Sequence, residues 1–418
     1  MSRVSVTFGN TSGEVSPIPS KSAAHRLLIC ASLASGESRI ECPADSADIE
    51  ATARCLNSLG ADIRYDGKIY TVNPIKKRKS AVLDCGESGS TLRFLIPVAS
   101  ALGGDVTLRG EGRLSQRPIS PLLRALEKRG ASFTYDGALP VISHGGLSGG
   151  EFEIAGNVSS QFISGMLFAL PLLSEKSTIK ITGGLQSAGY VKMTLDALEK
   201  FGVSAYVSGE NIEVFPSEYR AREISVEGDW SNGAFFLALG AIASEKGITC
   251  TGLRNESVQG DKEIIPILRR FGADISESDG KITVKKRPLR GIDIDAGEIP
   301  DLVPVLSIVA CAAEGKTHIY NASRLRLKES DRIESTSAMI RALGGRVETG
   351  DDFITVFGTR LRGGTALGAN DHRIVMSSAV AAAVCSDRVI IDGAEAVKKS
   401  YGNFFEELAL LGAKTERM

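Results

Sequence analysis

Apolar residues along this chain fall into two kinds of segment that alternate. One kind is apolar or small on nearly all faces, as in "AAHRLLICASLASG" (23–36) and "AFFLALGAIA" (234–243). The other combines an amphipathic helix, a glycine and two short strands around a turn, as in "TLDALEKFGVSAYVSGENIEVF" (194–215). Because helices that are apolar all round lie in protein interiors, the pattern predicts buried helices and strand hairpins in an α/β fold.

The second kind of segment recurs six times, with the glycine that ends its helix at a nearly constant interval. Successive glycines are 68 to 72 residues apart, and each stands where a left-handed residue is wanted. They are Gly60, Gly130, Gly202, Gly272, Gly344 and Gly412. Each unit of about 70 residues therefore carries two helices and several strands. The six units are expected to pack as two groups of three rather than as a solenoid, because the interior helices are too apolar for an open stack.

Composition limits the classes of function. With 49 Lys and Arg against 50 Asp and Glu, the 418-residue chain has a formal net charge of −1 and no basic field for nucleic acid. No apolar run reaches the roughly 18 residues of a membrane span, and no targeting signal is recognisable. The seven cysteines form no Cys-x-x-Cys pair, and the four histidines lack metal-ligand spacing. We expect a cytoplasmic, monomeric protein without a metal or cofactor.

Cations stand at the predicted starts of the helices, where they are unfavourable unless an anion is bound. The positive end of the helix dipole repels them, and capping explains only the hydroxyls and carboxylates nearby, such as those in "GDW" (228–230) and "NDHR" (370–373). One such cation could belong to a solvated face, but seven in phase with the repeat favour a shared anionic ligand. They are Lys21, Arg26, Arg117, Lys328, Arg332, Arg373 and Lys399.

The motifs at these helix starts match one family in order and spacing over the whole chain. They read "SKSAAHR", "GESGSTLR", "RPIS", "SSQF", "EIPD", "LKESDR", "NDHR" and "KSY". On these motifs the chain resembles the 5-enolpyruvylshikimate-3-phosphate synthase family (3-phosphoshikimate 1-carboxyvinyltransferases). The resemblance implies a two-domain inside-out α/β barrel of six βαβαββ repeats, three per domain. One lobe would be residues 20–228, and the other residues 1–19 together with 229–418.

The resemblance also implies the reaction and the residues that bind its substrates. The enolpyruvyl group of phosphoenolpyruvate would be transferred to the 5-hydroxyl of shikimate 3-phosphate, with release of phosphate. The residues implied for shikimate 3-phosphate are Lys21, Ser22, Arg26, Ser159, Ser160, Gln161, Ser187, Asp301 and Lys328. Those implied for phosphoenolpyruvate are Lys21, Gly89, Arg117, Gln161, Arg332, Arg373 and Lys399.

Catalysis of this reaction needs a base for the hydroxyl proton and an acid for the methylene carbon. The matching motifs supply two carboxylates and one amine. Asp301 is assigned as the base, while Lys21 and Glu329 are both candidates for protonating the carbon. The guanidinium groups would neutralise the substrates' charge, so no metal is required.

Three residues depart from the usual family pattern, and two other functions compete with the assignment. Glu87 lies in a loop that binds phosphate in the family, Arg324 replaces a more usual asparagine, and Gly402 replaces a proline. The competing functions are transfer of enolpyruvyl to UDP-N-acetylglucosamine and a non-catalytic repeat scaffold. Enzymes that use UDP-N-acetylglucosamine often carry a reactive cysteine in the loop that here reads "GEGRLSQRPIS" (110–120), and this loop has none. A non-catalytic scaffold would give no reason for cations in phase with the repeat.

Overall fold

The computed structural model describes residues 2–44, 46–76 and 80–418. The chain forms two compact units, one of Lys21–Val226, here called the central unit, and one of Met1–Ser20 with Glu227–Met418, here called the terminal unit. Within the described ranges, no helix is long and apolar enough to cross a membrane.

The central unit holds three four-stranded sheets and the helices between their strands. The strand orders are β14-β3-β5-β4, β6-β7-β9-β8 and β10-β11-β13-β12. The strands are β3 (Ser38–Glu41), β4 (Asp62–Tyr65), β5 (Ile69–Asn73), β6 (Ala81–Asp84), β7 (Val106–Arg109), β8 (Phe133–Thr134), β9 (Val141–Ser143), β10 (Gly150–Ala155), β11 (Ser177–Thr182), β12 (Ala205–Ser208), β13 (Asn211–Val214) and β14 (Glu223–Ser225). The helices are α1 (Lys21–Ser32), α2 (Ala47–Ser58), α3 (Gly89–Leu102), α4 (Ser120–Glu127), α5 (Ser160–Ala169) and α6 (Ala188–Lys200).

The terminal unit repeats this plan. Its strand orders are β16-β17-β15-β2, β18-β19-β21-β20 and β22-β23-β1-β24. The strands are β1 (Arg3–Phe8), β2 (Gly13–Val15), β15 (Ile248–Thr251), β16 (Asp274–Ser278), β17 (Lys281–Lys285), β18 (Asp293–Asp295), β19 (Lys316–Tyr320), β20 (Arg346–Thr349), β21 (Ile354–Phe357), β22 (Gly364–Leu367), β23 (Val389–Asp392) and β24 (Ala413–Arg417). The helices are α7 (Trp230–Ala243), α8 (Ile264–Phe271), α9 (Val303–Cys311), α10 (Arg332–Ala342), α11 (His372–Ala381) and α12 (Phe404–Leu410).

Among the described strands, three of the six sheets are each one continuous repeat of the predicted kind, and each of the other three takes one strand, β1, β2 or β14, from a distant part of the chain. In the second sheet of the central unit, β6 pairs in parallel with β7 across α3, and the hairpin β8–β9 follows α4 and pairs antiparallel with β7. The first helix of each repeat is buried along most of its length, as in α3 and α7, whereas an outer strand such as β12 is mostly exposed. Helices inside and sheets outside confirm the predicted inside-out βαβαββ fold.

The periodic glycines have the backbone conformation that the sequence predicts. All six have a positive φ, from 80° at Gly202 to 112° at Gly60. An L side chain would strain this conformation, and so the glycines end the helices and turn the chain into the hairpins.

The local structure differs from the prediction at two kinds of position. The first buried helix, predicted to extend towards Gly36, ends at Ser32. Arg117, Lys328 and Lys399 do not lie inside α-helices: each ends or directly follows a 3₁₀ turn that precedes α4, α10 or α12. Sequence periodicity does not distinguish these turns from the first turn of the following helix, because a 3₁₀ turn differs from it only in tighter hydrogen bonding.

Candidate active site

In the central unit, the starts of α1, α2 and α3 meet through side-chain hydrogen bonds. Lys21 Nζ lies 2.9 Å from Asp48 Oδ2 on α2. His25 Nδ1 lies 2.6 Å from Thr52 Oγ1, which lies 2.6 Å from Thr91 Oγ1 on α3. This buried chain of polar groups ends at Ser88, the N-cap of α3, whose Oγ accepts from Thr91 Oγ1 at 2.8 Å.

The chain of hydroxyls indicates which nitrogen of His25 carries the proton. Thr91 donates to Ser88, and a donor role for Thr52 towards Thr91 leaves the Thr52 oxygen to accept from His25 Nδ1–H. Burial, with the charges of Lys21 and Arg26, lowers the pKa of His25 well below its usual range. His25 is therefore a neutral group that links α1 to α2.

Arg26 is held inside the central unit and is only 2% exposed. It donates to Thr194 Oγ1 at 2.9 Å, to the Ser22 carbonyl at 2.6 Å and to the Tyr190 carbonyl at 2.9 Å. Its guanidinium carbon also lies 5.0 Å from the centre of the Phe94 ring. Burial lowers its pKa to about 10, so the side chain keeps its positive charge at neutral pH.

Gly89 begins α3 and lies directly against the Arg117 guanidinium. A Cβ on Gly89 would lie 2.5 Å from Arg117 Nη1 and 2.8 Å from Cζ. No real Cβ approaches other atoms so closely, and so the absence of a side chain lets the guanidinium lie beside the backbone N–H groups of the helix start. The Glu87 carboxylate lies against Gly112, in the 3₁₀ turn that leads to Arg117.

Gln161 is oriented by a cation that the sequence analysis did not select. Arg93 Nη1 donates to Gln161 Oε1 at 2.8 Å, and Gln161 Nε2 donates to Ser90 Oγ at 2.9 Å. Ser159 is the N-cap of α5 and accepts from the Gln161 N–H at 3.3 Å, and Ser160 and Ser187 are buried close to the starts of α5 and α6. The signal for Arg93 was its place in "GSTLR", a single cation within an otherwise apolar helix.

In the terminal unit, three carboxylates surround the guanidinium of Arg332. Its side chain is 1% exposed and donates to Asp301 Oδ1, to Glu329 Oε2 at 2.7 Å and to Asp371 Oδ2 at 2.7 Å. Burial alone would lower the pKa of Arg332, but Asp371, Glu329 and Asp301 together raise it well above its usual value. The group is thus a fixed cation that holds both predicted catalytic carboxylates.

Lys328 shares Asp301 with Arg332. Its Nζ lies 3.3 Å from Asp301 Oδ1, and burial lowers the pKa of the amine although Asp301 opposes the shift. The Lys399 amine donates to the Asn370 carbonyl at 2.8 Å, in the turn that precedes α11. The structure therefore places Lys328 and Arg332 together on Asp301, and places Lys399 against the turn that leads to Arg373.

Arg373 differs from Arg332 in having a buried donor without a protein partner. It is 5% exposed, its Nη1 donates to the Ser231 carbonyl at 3.0 Å, and its guanidinium lies 5.8 Å from the centre of the Phe235 ring. Its Nε is buried and makes no hydrogen bond. Since an unsatisfied buried N–H costs about 1–3 kcal/mol, this donor is suited to receive an anion.

These predicted residues form two sets, each within one unit. The central unit holds Lys21, Ser22, Arg26, Gly89, Arg117, Ser159, Ser160, Gln161 and Ser187. The terminal unit holds Asp301, Lys328, Glu329, Arg332, Arg373 and Lys399. Among the described residues, no group of His, Cys, Asp and Glu side chains could hold a metal ion.

Comparison with known proteins places the chain beside enolpyruvyl transferases. The family model of EPSP synthase (3-phosphoshikimate 1-carboxyvinyltransferase) matches residues 7–408. The 3-phosphoshikimate 1-carboxyvinyltransferase of Clostridium kluyveri is 41% identical over 424 residues, covering 100% of this chain and 99% of that protein. The enzyme of the same name from Clostridioides difficile is 39% identical over 424 residues, covering 97% and 96%.

Solved structures agree in fold. EPSP synthase from Acinetobacter baumannii superposes with a TM-score of 0.85 at 26% identity, covering 100% of both chains. The enolpyruvyl transferase NikO from Streptomyces tendae superposes with a TM-score of 0.83 at 18% identity, covering 100% of this chain and 99% of that one. At that identity the second likeness concerns the fold alone.

Proposed function

The chain belongs to the EPSP synthase family, and from this premise we propose how its own residues divide the work of the reaction. The protein is a transferase that moves the enolpyruvyl group of phosphoenolpyruvate to shikimate 3-phosphate in the shikimate pathway. Each substrate carries a phosphate and a carboxylate, about three negative charges near neutral pH. The binding residues must therefore supply cations and N–H donors in excess of those that the protein uses internally.

Phosphoenolpyruvate is assigned to residues that offer donors from cations and helix starts. The observation that carries this assignment is the buried, unpartnered Nε of Arg373, which a phosphate or carboxylate oxygen would satisfy. Gly89 supports it, because its backbone and the Arg117 guanidinium lie in contact. The proposed residues are Lys21, Gly89, Arg117, Gln161, Arg332, Arg373 and Lys399.

Arg332 can contribute to this binding only by sharing its guanidinium. Its N–H groups already contact Asp301, Glu329 and Asp371. A substrate carboxylate would displace Asp301 or Glu329 rather than Asp371, because Asp371 is fully buried and accepts from both Nε and Nη2. Binding of phosphoenolpyruvate would then release a catalytic carboxylate from its cation.

Shikimate 3-phosphate is assigned to the hydroxyl-rich helix starts and to Lys328. Ser159 and Ser160 lie at the start of α5, where N–H groups and the helix dipole favour a phosphate. Arg26 supplies charge and also orients the Ser22 carbonyl and α6 through its three hydrogen bonds. The proposed residues are Lys21, Ser22, Arg26, Ser159, Ser160, Gln161, Ser187, Asp301 and Lys328.

The proposed chemistry is addition followed by elimination. Asp301 takes the proton of the 5-hydroxyl while the hydroxyl oxygen of shikimate 3-phosphate bonds to C2 of phosphoenolpyruvate. Lys21 or Glu329 gives a proton to the methylene carbon. The intermediate then loses a proton from the new methyl group while its C–O bond to phosphate breaks. Guanidinium groups neutralise the charge, and so we expect full activity in the presence of a chelator such as EDTA.

One assay distinguishes this function from the related transfer to a nucleotide sugar. Phosphate release from phosphoenolpyruvate is measured with shikimate 3-phosphate and, separately, with UDP-N-acetylglucosamine. Release with the first acceptor alone supports the proposal, whereas release with the second alone would refute it.

We propose further that the protein is a cytoplasmic monomer whose lobes are the central and terminal units. Its mass in solution, measured by light scattering, tests the oligomeric state.

A further inference from the structure

Asp261 is a buried carboxylate to which the reaction as described assigns no role. It lies in the 3₁₀ turn Gly260–Glu263 before α8 and is 5% exposed. In three other repeats, Arg117, Lys328 and Lys399 end or directly follow the 3₁₀ turn that precedes the second helix. In this repeat a buried carboxylate lies within the turn itself.

Ser231 connects Asp261 to Arg373. The Ser231 hydroxyl donates to Asp261 Oδ2, and the Ser231 carbonyl accepts from Arg373 Nη1 at 3.0 Å. All three residues are at most 7% exposed. Because the second residue of α7 is held at its side chain and at its carbonyl, a shift of the Asp261 carboxylate would displace the acceptor that orients the guanidinium.

Charged groups on three other elements face Asp261. They are Asp229 at the N-cap of α7, Asp301 in the turn before α9 and Arg373 at the start of α11. Burial foremost, and then Asp301, raise the pKa of Asp261 to about 7, while Arg373 opposes the shift. On its own turn, Glu263 is exposed and Lys262 is half-buried. The carboxyl group therefore changes charge close to neutral pH.

We propose that Asp261 is a positioning residue that orients Arg373 through Ser231 and, by gaining a proton, favours the binding of phosphoenolpyruvate. The proposal rests on the assignment of Arg373 to this substrate. An anion bound to Arg373 offsets the positive charge that keeps Asp261 ionised, and so binding promotes proton uptake by the carboxyl group. By linkage, the factor by which the bound anion raises the proton affinity of Asp261 is also the factor by which protonation of Asp261 raises the affinity for the anion.

The sign of the pH dependence follows from this linkage. As the pH rises through about 7, Asp261 becomes an anion close to the bound substrate and affinity falls. The substrate's own phosphate has a second pKa near 6, and its ionisation works in the opposite direction. The contribution of Asp261 is therefore read from the difference between the wild type and a variant that cannot ionise at this position.

The first experiment measures KM for phosphoenolpyruvate and kcat from pH 6 to pH 9 in the wild type, Asp261→Asn and Ser231→Ala. Between pH 6 and 8.5 we expect the wild-type KM to rise by at least about fivefold relative to that of Asp261→Asn. Ser231→Ala should raise KM at pH 6 with little change in kcat, because it breaks the connection. Its KM should then rise with pH at a higher pH than in the wild type, because the Ser231 hydrogen bond, which this variant loses, lowers the pKa of Asp261. Parallel KM profiles for the wild type and Asp261→Asn would overturn the proposal.

The matched control is Asp279→Asn. Asp279 also accepts from a serine hydroxyl, that of Ser278 at 3.0 Å, but this pair is exposed. The control should reproduce the wild-type profile, and thermal unfolding of each variant shows whether it folds. If Asp279→Asn shifted the profile as Asp261→Asn does, the effect would be one of general charge and the proposal would fail.

A second experiment does not depend on the folding of Asp261→Asn. Phosphoenolpyruvate alone is titrated into the wild-type protein by calorimetry at pH 8, in two buffers of different ionisation enthalpy. At this pH the free substrate is fully ionised, and so protons taken up on binding come to the protein. We expect net uptake, and its absence would overturn the proposal.

The Arg373→Ala variant separates failure of the substrate assignment from failure of the role of Asp261. If Arg373→Ala leaves KM for phosphoenolpyruvate unchanged, the substrate assignment fails. If it raises KM but the pH profiles of the wild type and Asp261→Asn are parallel, only the role of Asp261 fails.

Discussion

Arg332 and Asp371 form a two-point pair in the interior of the terminal unit. Arg332 Nε lies 2.7 Å from Asp371 Oδ2, and Nη2 lies 3.2 Å from Oδ1. Asp371 also caps α11 by accepting from the Arg373 N–H at 2.9 Å. One carboxylate thus fixes the cation that holds Asp301 and the start of the helix that carries Arg373.

Replacing Asp371 should destabilise the protein more than replacing an exposed carboxylate. Asp371→Ala leaves the buried Arg332 short of its main counter-ion, and breaking a buried pair in this way costs about 3–5 kcal/mol. Urea denaturation measures the loss. Asp274→Ala is the control, since it removes an exposed pair with Arg287 at 2.9 Å and should cost less than about 1 kcal/mol. Equal losses in the two variants would contradict the importance of the buried pair.

Asp301→Asn should separate catalysis from binding. The amide keeps the size of the side chain but cannot accept the hydroxyl proton, and so kcat should fall on the order of 10²-fold or more. The affinity for shikimate 3-phosphate, measured by calorimetry, should stay within about tenfold. Asp295→Asn, an exposed change at the end of β18, should leave kcat unchanged. Near-wild-type turnover in Asp301→Asn would remove Asp301 from the mechanism.

Arg373→Ala should weaken the binding of phosphoenolpyruvate more than that of shikimate 3-phosphate. The substitution removes a charge-assisted hydrogen bond and the buried Nε donor, and KM for this substrate should rise by about tenfold to a hundredfold. Arg346→Ala is a matched control, because Arg346 also lies over an aromatic ring, 4.1 Å from the centre of Phe357, but is exposed. A change in the affinity for shikimate 3-phosphate alone would show that Arg373 was assigned to the wrong substrate.

Gly89→Ala tests the close approach of backbone and guanidinium. The new Cβ would lie 2.5 Å from Arg117 Nη1, so the guanidinium must move away from the start of α3. We expect KM for phosphoenolpyruvate to rise by about tenfold or more, with a smaller change for shikimate 3-phosphate. Gly9→Ala is the control, because its Cβ would meet no atom within 4 Å. Unchanged kinetics in Gly89→Ala would separate Arg117 from this substrate.

His25 should make the stability of the protein fall in mild acid. Its pKa is well below 6.5 in the folded protein and near 6.5 in the unfolded chain, so below pH 6.5 only the unfolded chain takes up the proton. The free energy of unfolding then falls by up to about 1.4 kcal/mol per pH unit.

The test compares urea denaturation of the wild type and His25→Asn at pH 7 and pH 5. We expect the wild type to lose about 2 kcal/mol more than the variant over this interval. His144→Asn serves as a comparison, because it replaces a histidine at an exposed position outside the buried hydrogen-bonded chain of α1, α2 and α3. Identical losses in the wild type and His25→Asn would show that His25 is not held neutral by its surroundings.

The sequence by itself determined the repeat, the fold class and the family. Glycines at a period of about 70 residues mark the ends of helices because only this residue adopts the left-handed conformation without strain, and all six have a positive φ. Helices apolar on every face can only be interior, which the burial of α3 and α7 confirms. Both signals are local, and so they can be read along the chain.

Only the tertiary structure decided which groups partner one another. Arg332 meets Asp301 and Asp371, Arg93 meets Gln161, and each pair is 31 to 68 residues apart. Asp261 reaches Arg373 through Ser231, on yet another helix. Periodicity gives the face of an element on which a residue lies, but not the side chain that faces it from another element. Charge balance and hydrogen bonding at the site depend on those through-space distances, which packing alone sets.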